Sequence, residues 1–245
     1  MLLAIDIGNT NINMGIFEGK RLLKRYPIPT KSKEYALPLK RIFAQNMIKE
    51  ALLCSVVPRV SKIFYKELRE ILGKQPYVIG KDTIAPIKNL YRKPKQVGHD
   101  RLVNAYAGII LYGAPLIVID FGTAVTFDVV SRNKEYLGGM ILPGLEISLD
   151  ALAQRTALLP KIKLEKPKEL IGRDTKSSIL SGVVYGFAAL VDDLTVRIRQ
   201  KIGQNALVIG TGGNIDLINK YCRSIDRVNK DLTLEGLNFI YRKLK

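Results

Sequence analysis

One motif occurs twice in this 245-residue chain, and that repeat constrains the fold more than any other feature. Residues 116–128 read Leu-Ile-Val-Ile-Asp-Phe-Gly-Thr-Ala-Val-Thr-Phe-Asp. Four apolar residues run into Asp120, Gly122 and Thr123 follow, and then Val125, Phe127 and Val129 alternate. A continuous apolar run reads as a strand buried on both faces, and alternation reads as its half-exposed hairpin partner. Gly122 leaves room for another group to approach the backbone. Asp120 ends its strand, where open α/β sheets place their ligands. Taken alone, the segment is equally an ordinary hairpin with Asp and Gly as turn formers. Residues 3–10, Leu-Ala-Ile-Asp-Ile-Gly-Asn-Thr, repeat the order: apolar run, Asp6, apolar, Gly8, small polar. A return strand follows again, with Ile12, Met14 and Ile16 alternating. Asp6 and Asp120 stand 114 residues apart (120 − 6), about half the chain. The spacing points to a duplicated unit facing itself across a cleft.

Elsewhere, helical and strand periodicities alternate, which defines an α/β class. The pattern predicts strands at 22–28, 51–57, 77–80, 135–142 and 206–209. It predicts helices at 37–49, with Pro38 in the first turn, and at 62–72, closed by Gly73. Residues 81–97 and 155–173 read as loop. A helix opens at Gly98-His99-Asp100-Arg101 with Leu102, Ala105, Tyr106 and Ile109 on its apolar face, and another covers 146–154. The longest helix is expected at 175–202, where Gly182, Gly186, Ala188 and Ala189 suggest close packing against another element. A terminal helix over 231–244 takes Asp231 or Thr233 as its cap.

No uninterrupted apolar run reaches the roughly 18 residues that span a bilayer. The N-terminus carries an acid, Asp6, where a signal peptide needs apolar residues. A cytoplasmic protein without a membrane partner is expected. Cys54 and Cys222 lack CxxC spacing and read as free thiols. The net charge of +17 suits a nucleic-acid surface, a field for small anions, or a solvated Lys-rich exterior. The scatter of the charges favours the last. The densest clusters, 20–25 and 161–168, contain no aromatic side chain that could stack on a base. His99 is the sole histidine, which excludes His-rich zinc sites and leaves no other residue to serve as the histidine of a triad.

Paired Asp-x-Gly turns suit a nucleotide. Backbone N–H groups around Gly8, Asn9 and Thr10 can cradle phosphate oxygens, and an acid at a strand end can hold a cation directly or through water. The turn Thr211-Gly212-Gly213-Asn214 either lets a base or ribose lie against the backbone or is a plain strand-to-helix turn. Walker and GxGxxG sequences are absent. Asp100 is either a helix N-cap or a proton acceptor pointing into a cleft, and Arg101 beside it can hold a carboxylate.

These motifs together resemble the actin, hexokinase and Hsp70 superfamily, and more narrowly the type III pantothenate kinases. The resemblance covers nearly the whole chain. It rests on Asp6-Ile-Gly-Asn-Thr10 with Gly15, Ser55-Val-Val-Pro58, Gly98-His-Asp-Arg101, Asp120-Phe-Gly-Thr-Ala124, Gly138-Gly-Met-Ile-Leu-Pro-Gly144, Gly172-Arg-Asp-Thr175 and Thr211-Gly-Gly213. It implies two duplicated actin/ribonuclease-H-like domains, 1–113 and 114–245, facing across an ATP cleft. It also implies transfer of the ATP γ-phosphate to the primary hydroxyl of pantothenate, the first step toward coenzyme A. By the family's pattern Asp6, Ile7, Gly8, Asn9, Thr10, Asn11, Ile12 and Asn13 bind ATP, and Thr123 meets its phosphates. Asp6 organises magnesium through water, and Asp120 holds a monovalent cation, potassium or ammonium. Asp100 is the general base, and Tyr91, Gly98, His99, Asp100, Arg101 and Thr175 bind pantothenate. Thr175 equally suits the N-cap of the long helix. His99 stands where the family more often has Ala, so its side chain is expected to point away from the substrate. A homodimer is implied. The alternatives are another small-molecule kinase of the superfamily or a basic regulatory nucleic-acid-binding protein.

Overall fold

In the computed structural model, which describes residues 1–32 and 34–245, both repeats become hairpins. The first half supplies β1 (Leu2–Ile7), β2 (Asn11–Glu18), β3 (Arg21–Pro29), α1 (Ala36–Gln45), β4 (Glu50–Ser55), α2 (Pro58–Leu72) and β5 (Tyr77–Val78). A two-residue strand, β6 (Lys88–Asn89), and α3 (His99–Tyr112) follow. The second repeat gives β7 (Leu116–Phe121), β8 (Ala124–Val130) and β9 (Glu135–Pro143). Then come α4 (Leu145–Arg155), α5 (Thr175–Ile202), β10 (Leu207–Thr211), α6 (Ile215–Ile218), β11 (Arg227–Val228) and α7 (Leu232–Lys243).

The sheet orders show the duplication directly. The first sheet runs β3-β2-β1-β4-β5, and the second runs β11-β10-β7-β8-β9-β6. Reading β7 for β1, the second sheet repeats the first strand for strand, with β6 added at its edge. The senses match as well. β1–β2 and β2–β3 are antiparallel while β1–β4 and β4–β5 are parallel, and β7–β8, β8–β9, β7–β10 and β10–β11 follow suit. Asp6 and Asp120 therefore occupy equivalent ends of equivalent central strands.

The chain forms two compact units: 1–87, 92–110 and 231–245 in one, 88–91 and 111–230 in the other. The terminal helix α7 thus belongs with the first sheet rather than with its own half of the sequence. In the first unit, Leu3, Ile5, Ile12, Met14, Leu39, Phe64 and Leu68 form a buried core. There Gly236 of α7 lies so close to α3 that a Cβ would overlap Val103 and crowd Ala107. In the second unit, Ile119, Phe121, Phe127, Val184, Val191 and Val208 do the same work.

Several expected boundaries shift for physical reasons. α1 ends at Gln45 instead of Lys49 because Asn46 turns to an extended conformation and its side-chain amide takes the Ile42 carbonyl at 2.7 Å. α2 begins at Pro58, since proline is tolerated at the first helical position. Asp174, not Thr175, caps α5, in a reciprocal capping box with Ser177. Neither Asp231 nor Thr233 caps α7 through a side-chain bond. Asp231 pairs with Arg25 at 2.5 Å, and Thr233 donates to Asn104 Oδ1 at 2.7 Å. Gly182 and Gly186 face open space, where an added Cβ would meet nothing within 4 Å; of the four small residues named above, Ala188 is buried and Ala189 is exposed. α5 also holds an 18-residue stretch of mean hydropathy 1.6, apolar enough by length and composition to cross a membrane. Its Val183, Val184, Val191 and Ile198 lie instead in the core of the second unit.

A buried polar pair braces the second sheet. Asp128 on β8 and Tyr136 on β9 are both 0% exposed, and the phenol donates to Asp128 Oδ1 at 2.8 Å. Tyr136→Phe removes that donor from a sealed carboxylate. The expected cost is about 1–3 kcal/mol, a loss of several degrees in Tm by thermal unfolding; an unchanged Tm would show the bond to be dispensable.

Candidate active site

In the first unit β1 brings Asp6 to its C-terminal end, next to a turn of Gly8, Asn9 and Thr10. That turn is pinned. Gly8 N–H donates to the Asn11 carbonyl at 3.0 Å, Thr30 N–H to the Thr10 carbonyl at 2.9 Å, and the Thr30 hydroxyl to the Gly8 carbonyl at 2.7 Å. Thr30 is buried and closes the loop from the far end of β3, a role no local sequence signal announces. Asn9, Thr10, Asn11 and Asn13 are exposed, whereas Ile7 and Ile12 are fully buried. The two isoleucines can meet a ligand only through their backbones. A cleft of about 600 Å³ opens beside the turn, lined by Asn9, Thr30, Lys31, Ser32, Tyr35 and Arg59 among others.

Asp6 also pairs in register with Cys54 on β4. The Cys54 thiol is 0% exposed. Burial pushes its pKa well above the ordinary value, and the carboxylates of Asp6 and Asp100 push it further. The same thiol therefore feels both acids, which gathers Asp6 and Asp100 into one neighbourhood although 94 residues separate them (100 − 6). Cys54 occupies the position that Thr211 holds beside Asp120 in the second sheet.

Asp100 lies in the first turn of α3. Its Oδ1 is sealed from solvent and has no hydrogen-bond partner. Burial raises its carboxyl pKa above the ordinary 3.8, against the opposing pull of the Arg101 and Asp100 backbone N–H groups, the Arg101 guanidinium and His99. A Cβ at Gly98 would overlap Asp100 Oδ1, so glycine at that position is what gives the carboxylate its place. Arg101 is itself buried. The His99 imidazole lies over Gly80, in the turn after β5.

Tyr91, Asp120, Thr123 and Thr175 belong to the second unit. One oxygen of Asp120 sits in a backbone cradle: a Cβ at Gly122 would approach it to 3.3 Å, and one at Gly212 would overlap it. Thr123 is exposed, and its carbonyl accepts the Gly144 N–H at 3.1 Å. The Tyr91 ring packs on Gly138, and its N–H donates to Asn89 Oδ1 at 3.0 Å. Thr175 is exposed one residue past the cap of α5.

No group of three or more His, Cys, Asp and Glu gathers among the described residues. Asp6, at a strand end beside the exposed Asn9 and Thr10, offers one carboxylate of the kind magnesium takes together with water and phosphate oxygens. The glycine cradle around Asp120 offers a carboxylate oxygen among backbone groups, which fits a weakly hydrated monovalent ion.

Duplicated sheets of this order, each with an Asp-ended central strand and a glycine turn, define a two-sheet α/β fold that solved structures of hexokinase type share. A hexokinase from Thermus thermophilus matches with TM-score 0.52 at 15% identity, covering 99% of this chain and 98% of that one. A structure from Campylobacter jejuni, described as a Baf family transcriptional activator, matches with TM-score 0.61 at 20% identity over 99% and 98%. The sequence narrows the class. Residues 2–197 match the family model for type III pantothenate kinase. Type III pantothenate kinases from Moorella thermoacetica and Finegoldia magna are each 41% identical, over 99% and 98% of this chain and 99% and 96% of their own lengths. The chain belongs to the type III pantothenate kinase family.

Proposed function

We propose that this chain transfers the γ-phosphate of ATP to the primary hydroxyl of pantothenate, giving phosphopantothenate and ADP. The observation that carries this reading is the buried carboxylate of Asp100, whose Oδ1 has no hydrogen-bond partner, beside Arg101 and near Asp6. As the pantothenate hydroxyl oxygen bonds to the γ-phosphorus, the bond from phosphorus to the ADP oxygen breaks and the hydroxyl proton passes to Asp100. Phosphoryl transfer asks the protein for positioning and charge neutralisation, with one group to take that proton. The turn of Gly8, Asn9 and Thr10 presents backbone and polar side chains to the ATP phosphates, with Asn11, Asn13 and Thr123 as further contacts and Ile7 and Ile12 contributing backbone. Asp6 would hold magnesium through water, and Asp120 a potassium or ammonium ion; bound, these ions neutralise charge on the phosphates. Tyr91, Gly98, His99 and Thr175 complete the pantothenate contacts, His99 through its backbone.

Arg101 holds the pantothenate carboxylate. A charge-assisted hydrogen bond contributes about 1.5–3 kcal/mol, so Arg101→Ala is expected to raise the pantothenate KM by roughly 10-fold or more while leaving the ATP KM near its parent value. An unchanged pantothenate KM removes Arg101 from this role. The function itself is tested by ADP release with pantothenate against a panel of sugars, with and without potassium. Release with a sugar instead makes the chain another small-molecule kinase of this fold.

The family supports a cytoplasmic protein, and with the open face of α5 at Gly182 and Gly186 it supports a homodimer, to be checked by light scattering. The alternative of a nucleic-acid-binding regulator has the +17 charge as its motive, and the scatter of that charge weighs against it. Salt-steep binding to random DNA would support it.

A further inference from the structure

The proposed pantothenate contact uses only the backbone of His99 and leaves its imidazole without a task, yet the ring lies directly on the Gly80 backbone. Gly80 sits in a tight turn: its N–H donates to the Thr83 carbonyl at 2.7 Å, Ile79 bridges to Thr83, and Val78 N–H donates to Asp82 Oδ2 at 2.9 Å. Gly80 has φ +87°, and a Cβ there would fall inside the His99 imidazole, closest to Nε2. His99 Nδ1 is buried and has no hydrogen-bond partner. The ring is thus held by shape against a bare backbone, not by polar bonds. His99 is also the first residue of α3, and Asp100 is the next.

We propose that His99 is a positioning residue: its imidazole, seated on Gly80, sets the first turn of α3 and thereby the orientation of the Asp100 carboxylate. The alignment of a proton acceptor decides much of its worth, because small misplacements of reacting groups cost large factors in rate. Gly80 is the other half of the contact. It supplies a left-handed turn and an uncovered Cα, and no side chain other than hydrogen leaves room for the ring. The proposal rests on the reading of Asp100 as the proton acceptor.

The test is a set of variants measured by steady-state kinetics. His99→Ala is expected to lose roughly 10-fold or more in kcat, with the ATP KM within about twofold of the parent. His99→Gln, whose planar amide can lie on Gly80, should recover most of that loss. Gly80→Ala should lower kcat by displacing the ring. The double variant Gly80→Ala/His99→Ala should then be no slower than the slower single variant, because the overlap has gone. A His99→Ala kcat within about twofold of the parent overturns the proposal, as do losses at Gly80 and His99 that simply multiply. Where Gly80→Ala does not fold, the His99→Ala and His99→Gln pair decides alone. Asp100→Asn separates the two levels. If that variant is inactive and His99→Ala is not, only the positioning role falls; if Asp100→Asn turns over normally, the underlying reading falls instead.

Discussion

Asp100→Asn will fold at least as stably as the parent at neutral pH and turn over at least ~10² more slowly. The two halves of that expectation have one cause. The parent buries a carboxylate oxygen without a partner, and burial raises the folded-state pKa above the ordinary 3.8. The folded chain therefore holds this proton more tightly than the unfolded chain does. The resulting stabilisation is complete below the unfolded pKa and is lost as pH rises through the folded one. At neutral pH the ionised group is a cost to the fold, which the neutral, isosteric amide removes. The stability difference in favour of Asn should accordingly grow as pH rises through the folded pKa of Asp100, which thermal unfolding across a pH series would read. Catalysis moves the other way. A positioned base contributes ~10²–10⁴ in rate, or ~3–5 kcal/mol, and an amide cannot accept the proton. In the parent, kcat/KM should fall on the acid side at the same raised pKa. Near-parent turnover by the Asn variant would remove Asp100 from the chemistry. A lower Tm at neutral pH would show instead that the carboxylate supports the fold.

The fold was legible because its strongest signals are local. The runs into Asp6 and Asp120 and their alternating returns are read from a dozen residues each, and they became β1–β2 and β7–β8. The duplicated strand order extends that repeat further than the motif itself reaches. What stayed hidden is either too short or too distant for periodicity. β6 and β11 have two residues each and include Lys88, Asn89 and Arg227, so they lack even the short apolar run that marks the equally short β5. β6 is placed by its partner β9, where Lys88 also meets Glu135 at 2.7 Å. The site residues were named from motifs, but the contacts around them are long-range. Thr30 pins Gly8 across 22 residues, Cys54 lies beside Asp6 through strand register, and Gly80 receives His99 from another element. None of these pairs has a spacing that sequence can reveal. The small residues of α5 misled for a related reason: Gly182 and Gly186 mark an open face as readily as a close contact, and composition does not distinguish the two.

Gly212 and Gly213 stand side by side in the turn after β10, and the structure assigns them opposite tolerances. Gly212 has φ +94°, and a Cβ there would collide with the Phe121 backbone and Asp120 Oδ1. The left-handed conformation alone costs an L-residue about 1–2 kcal/mol. The overlap adds to this, because the Phe121 backbone belongs to β7, the central strand of its sheet, and cannot move as a flexible side chain can. Gly212→Ala is therefore expected to cost about 3 kcal/mol or more, or roughly 10 °C in Tm. Gly213 has open space around its Cβ position and no left-handed φ, so Gly213→Ala should stay within about 0.5 kcal/mol of the parent. Function separates the pair as well. A Cβ at residue 212 displaces the Asp120 carboxylate, so on the proposal that Asp120 holds potassium, the potassium concentration that half-saturates activity should rise in Gly212→Ala while remaining unchanged in Gly213→Ala. A shared shift in both variants would mean that the turn acts through general loosening. A destabilised Gly212→Ala with parental potassium dependence would detach the cation from Asp120, leaving the cradle a device of folding alone.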